Sequence, residues 1–114
     1  MEKIEDTIQG GIALLFVESL AKGKYLQSHQ ILSMKLKQEL PQLKLKEKYE
    51  NMINYVDSPL DSIAVLNNWK FQGENDLGWV YVALCFDNEV EAITVAVTKE
   101  VDKYVISDIE WGRP

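Results

Sequence analysis

Gly78-Trp-Val-Tyr-Val-Ala-Leu-Cys-Phe86 is the stretch whose reading decides the fold. It is rich in β-branched and aromatic residues and carries no charge. Asn75 and Asp76 bound it on one side and Asp87-Asn88 on the other, the pattern of a strand between turns. Side chains alternate across a strand, so Trp79, Tyr81, Ala83 and Cys85 take one face and Val80, Val82, Leu84 and Phe86 the other. Both faces are apolar, which makes this the central strand of a sheet with cover required on each side.

Working outward, Asp87-Asn88 makes a tight connection to a strand over Val90 to Val97, where Ile93, Val95 and Val97 alternate with Ala92, Thr94 and Ala96. Lys99 to Lys103 is a charged turn. Tyr104 to Trp111 is the last strand, with Val105, Ile109 and Trp111 assigned to one face and Asp108 and Glu110 to the other. On the N-terminal side, Gln72 to Leu77 is a turn, and Ile63, Val65, Trp69 and Phe71 mark a strand before it. Successive strands with short links give an antiparallel meander.

Before the loop Asp57-Ser58-Pro59-Leu60-Asp61 the period is helical. Residues 3 to 22 read as a first helix on the stripe Ile4, Ile8, Ile12 and Leu15, with Gly23 as its stop. Gly10-Gly11 inside it points to close packing or to a later start. Residues 24 to 40 read as a second helix on the stripe Tyr25, His29, Leu32, Leu36 and Leu40, ended by Pro41. Leu43 to Val56 reads as a third, with Leu45, Tyr49, Met52, Ile53 and Val56 on one face. Three helices followed by a curved four-stranded antiparallel sheet make a single α+β domain over residues 1 to 114, with the helices closing the sheet over a cone-shaped cavity.

At 114 residues, 46% hydrophobic and 26% charged, the chain has the size and composition of one globular domain. The only cysteine, Cys85, has no internal partner and lies in the apolar strand, which points to a reducing cytoplasm and an inert thiol. Ile12 to Val17 is apolar but too short to span a bilayer, and the acidic Glu2, Glu5 and Asp6 precede it where a signal peptide carries positive charge. No membrane association is expected.

The net charge of −6 is unevenly spread. Residues 1 to 56 hold eight lysines against seven acids, whereas residues 57 to 114 hold four basic against eleven acidic groups. That field repels nucleic acid and favours a basic partner, although solvated charge on strand edges gives the same balance. Lys35, Lys37, Lys44, Lys46 and Lys48 cluster on the helices, but with no arginine and with Glu39, Glu47 and Glu50 among them they read as a solvated face.

Motifs for catalysis are missing. There is no phosphate-binding glycine loop, Gly-x-Ser-x-Gly or His-Glu-x-x-His. One histidine and one cysteine do not make an ordinary zinc site, so no metal and no cofactor are expected. His29, on the stripe of the second helix, is a packed or cleft-lining residue with Tyr25 beside it. Carboxylate pairs at i, i+2, Glu89 with Glu91 and Asp108 with Glu110, each share a strand face; such pairs do acid–base work only where burial separates their pKa values.

The segment Phe16-Val-Glu-Ser-Leu-Ala-Lys-Gly-Lys-Tyr25, the Leu32-Ser-x-x-Leu36 to Leu40-Pro41 helix end, Gly78-Trp-Val-Tyr-Val82, Ala92-Ile-Thr-Val-Ala-Val97 and the terminal Ile109-Glu-Trp-Gly-Arg-Pro114 resemble the nuclear transport factor 2-like fold. More narrowly, they resemble its bacterial immunity proteins of polymorphic toxin systems. The resemblance runs over nearly the whole chain. It implies a cytoplasmic, non-enzymatic protein that binds and neutralises a cognate toxin domain, such as a basic nuclease delivered by contact-dependent growth inhibition, as a monomer or a homodimer. Charge and expected exposure, rather than any family motif, nominate Glu74, Asp76, Asp87, Glu89, Glu91 and Glu110 as toxin-binding residues, with Trp69 or Trp111 as an aromatic anchor. Two rival readings stand beside it: a small-ligand or enzymatic domain using the cavity, lined by Tyr25 and His29, and a dimerisation module.

Overall fold

The computed structural model describes residues 6–69 and 76–112, with residues 67–69 and 76 described by their backbone alone. The order of elements is α1 (Ile8–Ala21), α2 (Tyr25–Gln30), α3 (Met34–Glu39), α4 (Gln42–Ile53), β1 (Leu60–Trp69), β2 (Asp76–Phe86), β3 (Val90–Glu100) and β4 (Lys103–Trp111). The strands form one antiparallel sheet in the order β1-β2-β3-β4, so the meander and its central strand are as expected. The helices number four among the described residues, against an expectation of three.

In α1 the helix begins at Ile8. Thr7 caps it, its hydroxyl oxygen accepting the Gly10 N–H at 3.0 Å. That satisfies one of the donors a helix start leaves free. Gly10 is buried one turn inside, so the glycine pair marks close packing as well as a start later than residue 3. Ala13, Phe16, Val17 and Leu20 are fully buried against the sheet. Gly23, at φ +74, ends the helix in the left-handed conformation that glycine adopts without a steric penalty.

The predicted second helix is in fact two. Between α2 and α3 the chain leaves the helix and pairs with the outer edge of β4. Leu32 bridges Ile106 in parallel, the Ile106 N–H donates to the Ile31 carbonyl at 2.9 Å, and the Ser33 N–H donates to the Ile106 carbonyl at 2.8 Å. Ser33 then starts α3 by accepting the Leu36 N–H on its hydroxyl at 3.1 Å. The stripe from Tyr25 to Leu40 is therefore interrupted at Leu32, which is nevertheless buried in the core.

Val80, Val82, Leu84 and Phe86 of β2 lie in the same core as α1 and α4, with Ile93, Val95 and Val97 of β3 and Ile106 of β4. The other face carries shorter residues: Ala83, Ala92, Thr94 and Ala96 are buried there, with Trp79, Tyr81 and Cys85 half-buried. Two register shifts correct the expected faces. One, between Ala96 and Val97, gives Ile106 rather than Val105 to the helix side with Ile109 and Trp111, and pairs Val105 with Thr98. The second, between Val65 and Asn67, puts Trp69 opposite Trp79 while Ile63 and Val65 sit opposite Leu84 and Val82. A bulge inserts one residue and so exchanges the faces beyond it. Phe71 lies outside the described residues.

The β3–β4 turn holds Val101 at φ 60 with 89% of its surface exposed. A β-branched residue in the left-handed region is strained by roughly 1–2 kcal/mol, and burial returns nothing here. Val101→Asn is expected to stabilise the fold by about 1 kcal/mol, a rise in Tm of roughly 4 °C for a domain of this size. Thermal unfolding followed by circular dichroism measures it; an unchanged or lower Tm would reject the strain.

Candidate acidic recognition site

Register brings four separate segments to one end of the sheet. Leu60 at the start of β1 pairs with Phe86 at the end of β2, Val90 at the start of β3 pairs with Cys85, and Trp111 at the end of β4 pairs with Ile93. The residues after α4 join them, because the Tyr55 hydroxyl donates to Glu91 Oε2 at 2.5 Å. Asp57, Asp61, Asp87 and Glu89 are exposed at this end, and Glu110 is exposed a short way along β4. Across residues 54–62, 84–92 and 108–112 there is no lysine, arginine or histidine. Within these segments all the charge is negative; Arg113 follows next in the chain.

Glu91 differs from its neighbours. It stands opposite Leu84, which places it on the helix-facing side of β3, and it is half-buried rather than on an open acidic face as its pairing with Glu89 implied. Oε2 receives the Tyr55 hydroxyl. Oε1 has less than 1 Å² of exposed surface and no hydrogen-bond partner among the described residues. Beside it the backbone of Gly112 runs at φ +91, its N–H donating to the Ala92 carbonyl at 2.8 Å. Chain neighbours aside, Glu91 Oε1 is the one atom of the described residues within 4.0 Å of where a Cβ on Gly112 would stand.

Of the residues nominated from sequence, Asp87, Glu89, Glu91, Glu110 and Trp111 gather at this end. Trp111 is half-buried and packs on the core, so its first role is to hold the last strand. Trp69 and Asp76 belong to the opposite end, across from Trp79 and Thr98, and Glu74 lies outside the described residues. Tyr55, Asp57 and Asp61 were not nominated. Their composition reads only as a helix end and a loop; it is the pairing of β1 with the end of β2 that makes them neighbours of Glu89 and Glu91.

Tyr25 and His29 both lie on α2. The Tyr25 hydroxyl donates to Glu50 Oε2 at 3.4 Å on an exposed surface, and the Lys46 ammonium sits 5.9 Å from its ring centroid. Burial first, then the Glu50 charge and hydrogen bond, push the Tyr25 phenol upward. His29 is half-buried, and its Nε2 has no hydrogen-bond partner among the described residues. Cys85 is half-buried rather than fully enclosed. Among the described residues no group of three or more His, Cys, Asp or Glu side chains is arranged to hold a metal ion, and no helix is long and apolar enough to cross a membrane.

Comparison of the chain with protein-family models finds no match, and comparison with curated proteins finds none either.

Tyr49, buried in the core, has its phenol pushed up to about 12, first by burial and then by the nearby Tyr25. The folded value lies above the unfolded one of 10.0, so the neutral phenol's contribution is complete below pH 10 and is lost as pH rises through the folded value. Stability is expected to fall between roughly pH 10 and 12. Tyr49→Phe should flatten that loss in urea titrations; an equally steep alkaline decline in the variant would assign it to other groups.

Proposed function

We propose that the protein is an immunity protein of a bacterial polymorphic toxin system, built on the nuclear transport factor 2-like arrangement, which binds a basic toxin domain and blocks it stoichiometrically. A nuclease is the toxin class that best fits, because a domain that grips nucleic acid presents lysines and arginines for the phosphates. The observation that carries the proposal is the acidic end of the sheet, where carboxylates from β1, the β2–β3 turn and β4 meet without a basic residue in those segments. Opposite charge on two surfaces speeds their encounter and disfavours wrong partners.

The rest of the architecture supports such a role. The helix-facing side of the sheet is committed to the core, which leaves the strand ends, the turns and the other face of the sheet to meet a partner. Rim carboxylates act mainly on the rate of encounter, while an aromatic or a partly desolvated charge among them slows release. Exposed Tyr55 and half-buried Glu91 supply that second element here.

Co-expression of this chain with the product of the gene immediately upstream, or with the C-terminal segment of a large neighbouring exoprotein, should restore growth and yield a complex that co-purifies; unrelieved toxicity with no complex would sink the pairing. In that complex, the double substitution D87K/E89K is expected to lower the association rate about ten-fold at low ionic strength while leaving the fold intact, because both side chains are exposed. The difference should shrink as salt shortens the Debye length. An unchanged low-salt association rate would remove the acidic end from the interface.

A further inference from the structure

We propose that Tyr81, Thr94 and Glu110, on the sheet face turned away from the helices, form a seat for one arginine side chain of a protein partner. This extends the acidic end onto that face and rests on the reading of that end as a partner surface. Register sets the three in one row: Tyr81 of β2 pairs with Thr94 of β3, and Thr94 with Glu110 of β4. Directly opposed residues share a face, and Ile93 and Val95 on either side of Thr94 belong to the core, so this row points away from it. Strands lie about 4.8 Å apart, so the ring and the carboxylate spring from backbones about 10 Å apart with the threonine between them. Along β3 its neighbours on this face are Ala92 and Ala96, which are too short to reach over it.

Thr94 is the observation that points to a ligand. The buried serine and threonine side chains are Ser19, Ser28, Ser33 and Thr94. Ser19 is bonded to the Phe16 carbonyl and to Ser28, and Ser33 accepts the Leu36 N–H. The Thr94 hydroxyl, in a residue only 8% exposed, has no hydrogen bond among the described residues. The side-chain atoms both fully enclosed and unpartnered are His29 Nε2, Ser58 Oγ and Glu91 Oε1. Thr94 Oγ1 is not one of them, so it keeps surface that a partner can reach. Glu110 beside it is exposed and has no ion pair among the described residues. Asp108 differs: its Oδ1 accepts the Ile109 N–H at 2.8 Å, which turns that carboxylate toward its own backbone.

An exposed carboxylate alone attracts any cation, but the row selects a guanidinium. Glu110 and the hydroxyl supply two acceptors, and the Tyr81 ring supplies a face. The planar guanidinium stacks on an aromatic ring while its fork of N–H donors reaches both oxygens. Lysine, with a compact and strongly hydrated ammonium, lacks that plane.

The probe is acetyl-Ala-Arg-Ala-amide, titrated into the intact chain and followed by NMR at the Thr94 methyl and the Tyr81 ring, with acetyl-Ala-Lys-Ala-amide as the comparison. Both signals are expected to move together, and the arginine peptide to bind about five-fold more tightly. Glu110→Gln should weaken it about five-fold, and Asp108→Asn, the same loss of charge one row away, less than about two-fold. Thr94→Val leaves the charge unchanged; it should weaken binding about three-fold without lowering Tm, because it removes no hydrogen bond of the fold. Equal weakening by E110Q and D108N, equal binding of the two peptides, or normal binding to T94V would show a diffuse charge effect and overturn the seat. A lower Tm in T94V would assign the hydroxyl to the fold, and the proposal falls. It falls too if R113A and E110Q lower Tm alike and without additivity, since the chain's own arginine then fills the seat. Arginine-peptide binding with no toxin complex would leave the seat standing and remove the toxin pairing; a toxin complex indifferent to E110Q and T94V would do the reverse.

Discussion

Withdrawal of one face of β2 from water is the constraint on which the remainder of the molecule depends. Val80, Val82, Leu84 and Phe86 have no polar group to offer, and Val95 and Ile93, which face Val80 and Val82 from β3, are equally apolar; only at the end of the sheet does Glu91 stand opposite Leu84. A sheet with such a face needs a helical cover, and α1 supplies Ala13, Phe16, Val17 and Leu20 for it. Once α1 is seated, α2 is drawn in behind it: the Ser19 and Ser28 hydroxyls, both buried, meet at 2.8 Å and satisfy each other between the two helices. The core therefore fixes which side of the sheet is structural. What is left for recognition is the other face and the strand ends, where chain reversals need polar residues in any case.

Much of this was legible in the residues and some was not, for identifiable reasons. The alternation in Gly78 to Phe86 and the turn chemistry of Asp87-Asn88 are local signals, and they gave a central strand and a meander that the register reproduces. The break between α2 and α3 was hidden because it is made by a distant partner. Ser33 is an evident helix-capping residue, yet the hydrogen bonds that pull residues 31–33 straight come from Ile106, more than seventy positions away. Bulges were invisible for a similar reason. A strictly alternating reading assigns Val105 to the core, and only the extra residue between Ala96 and Val97's partners hands that place to Ile106.

The candidate site divides along the same line. Asp87, Glu89 and Glu91 are close in sequence and were read together; the fold then separates them in kind, leaving two in water and folding the third beneath Tyr55. Asp57 and Asp61 reach the site only through the pairing of Leu60 with Phe86. An i, i+2 carboxylate pair looks equivalent on paper because strand geometry is symmetric. At the end of a strand that symmetry fails, since one residue sits on the turn and the other on the sheet. Burial, not spacing, decides which carboxylate is a steering charge and which is a fixed acceptor.

The union of Leu32 with Ile106 has a further consequence for how copies of the molecule meet. Part of the outer edge of β4 already has a strand-like neighbour in residues 31–33, whereas the outer edge of β1 has no backbone partner among the described residues. Open sheet edges are templates for addition, and a sheet with two of them can grow without limit. Two copies that joined edge to edge through β1 would each turn outward a β4 edge whose backbone at Ile106 is already occupied, which hinders further addition at that point.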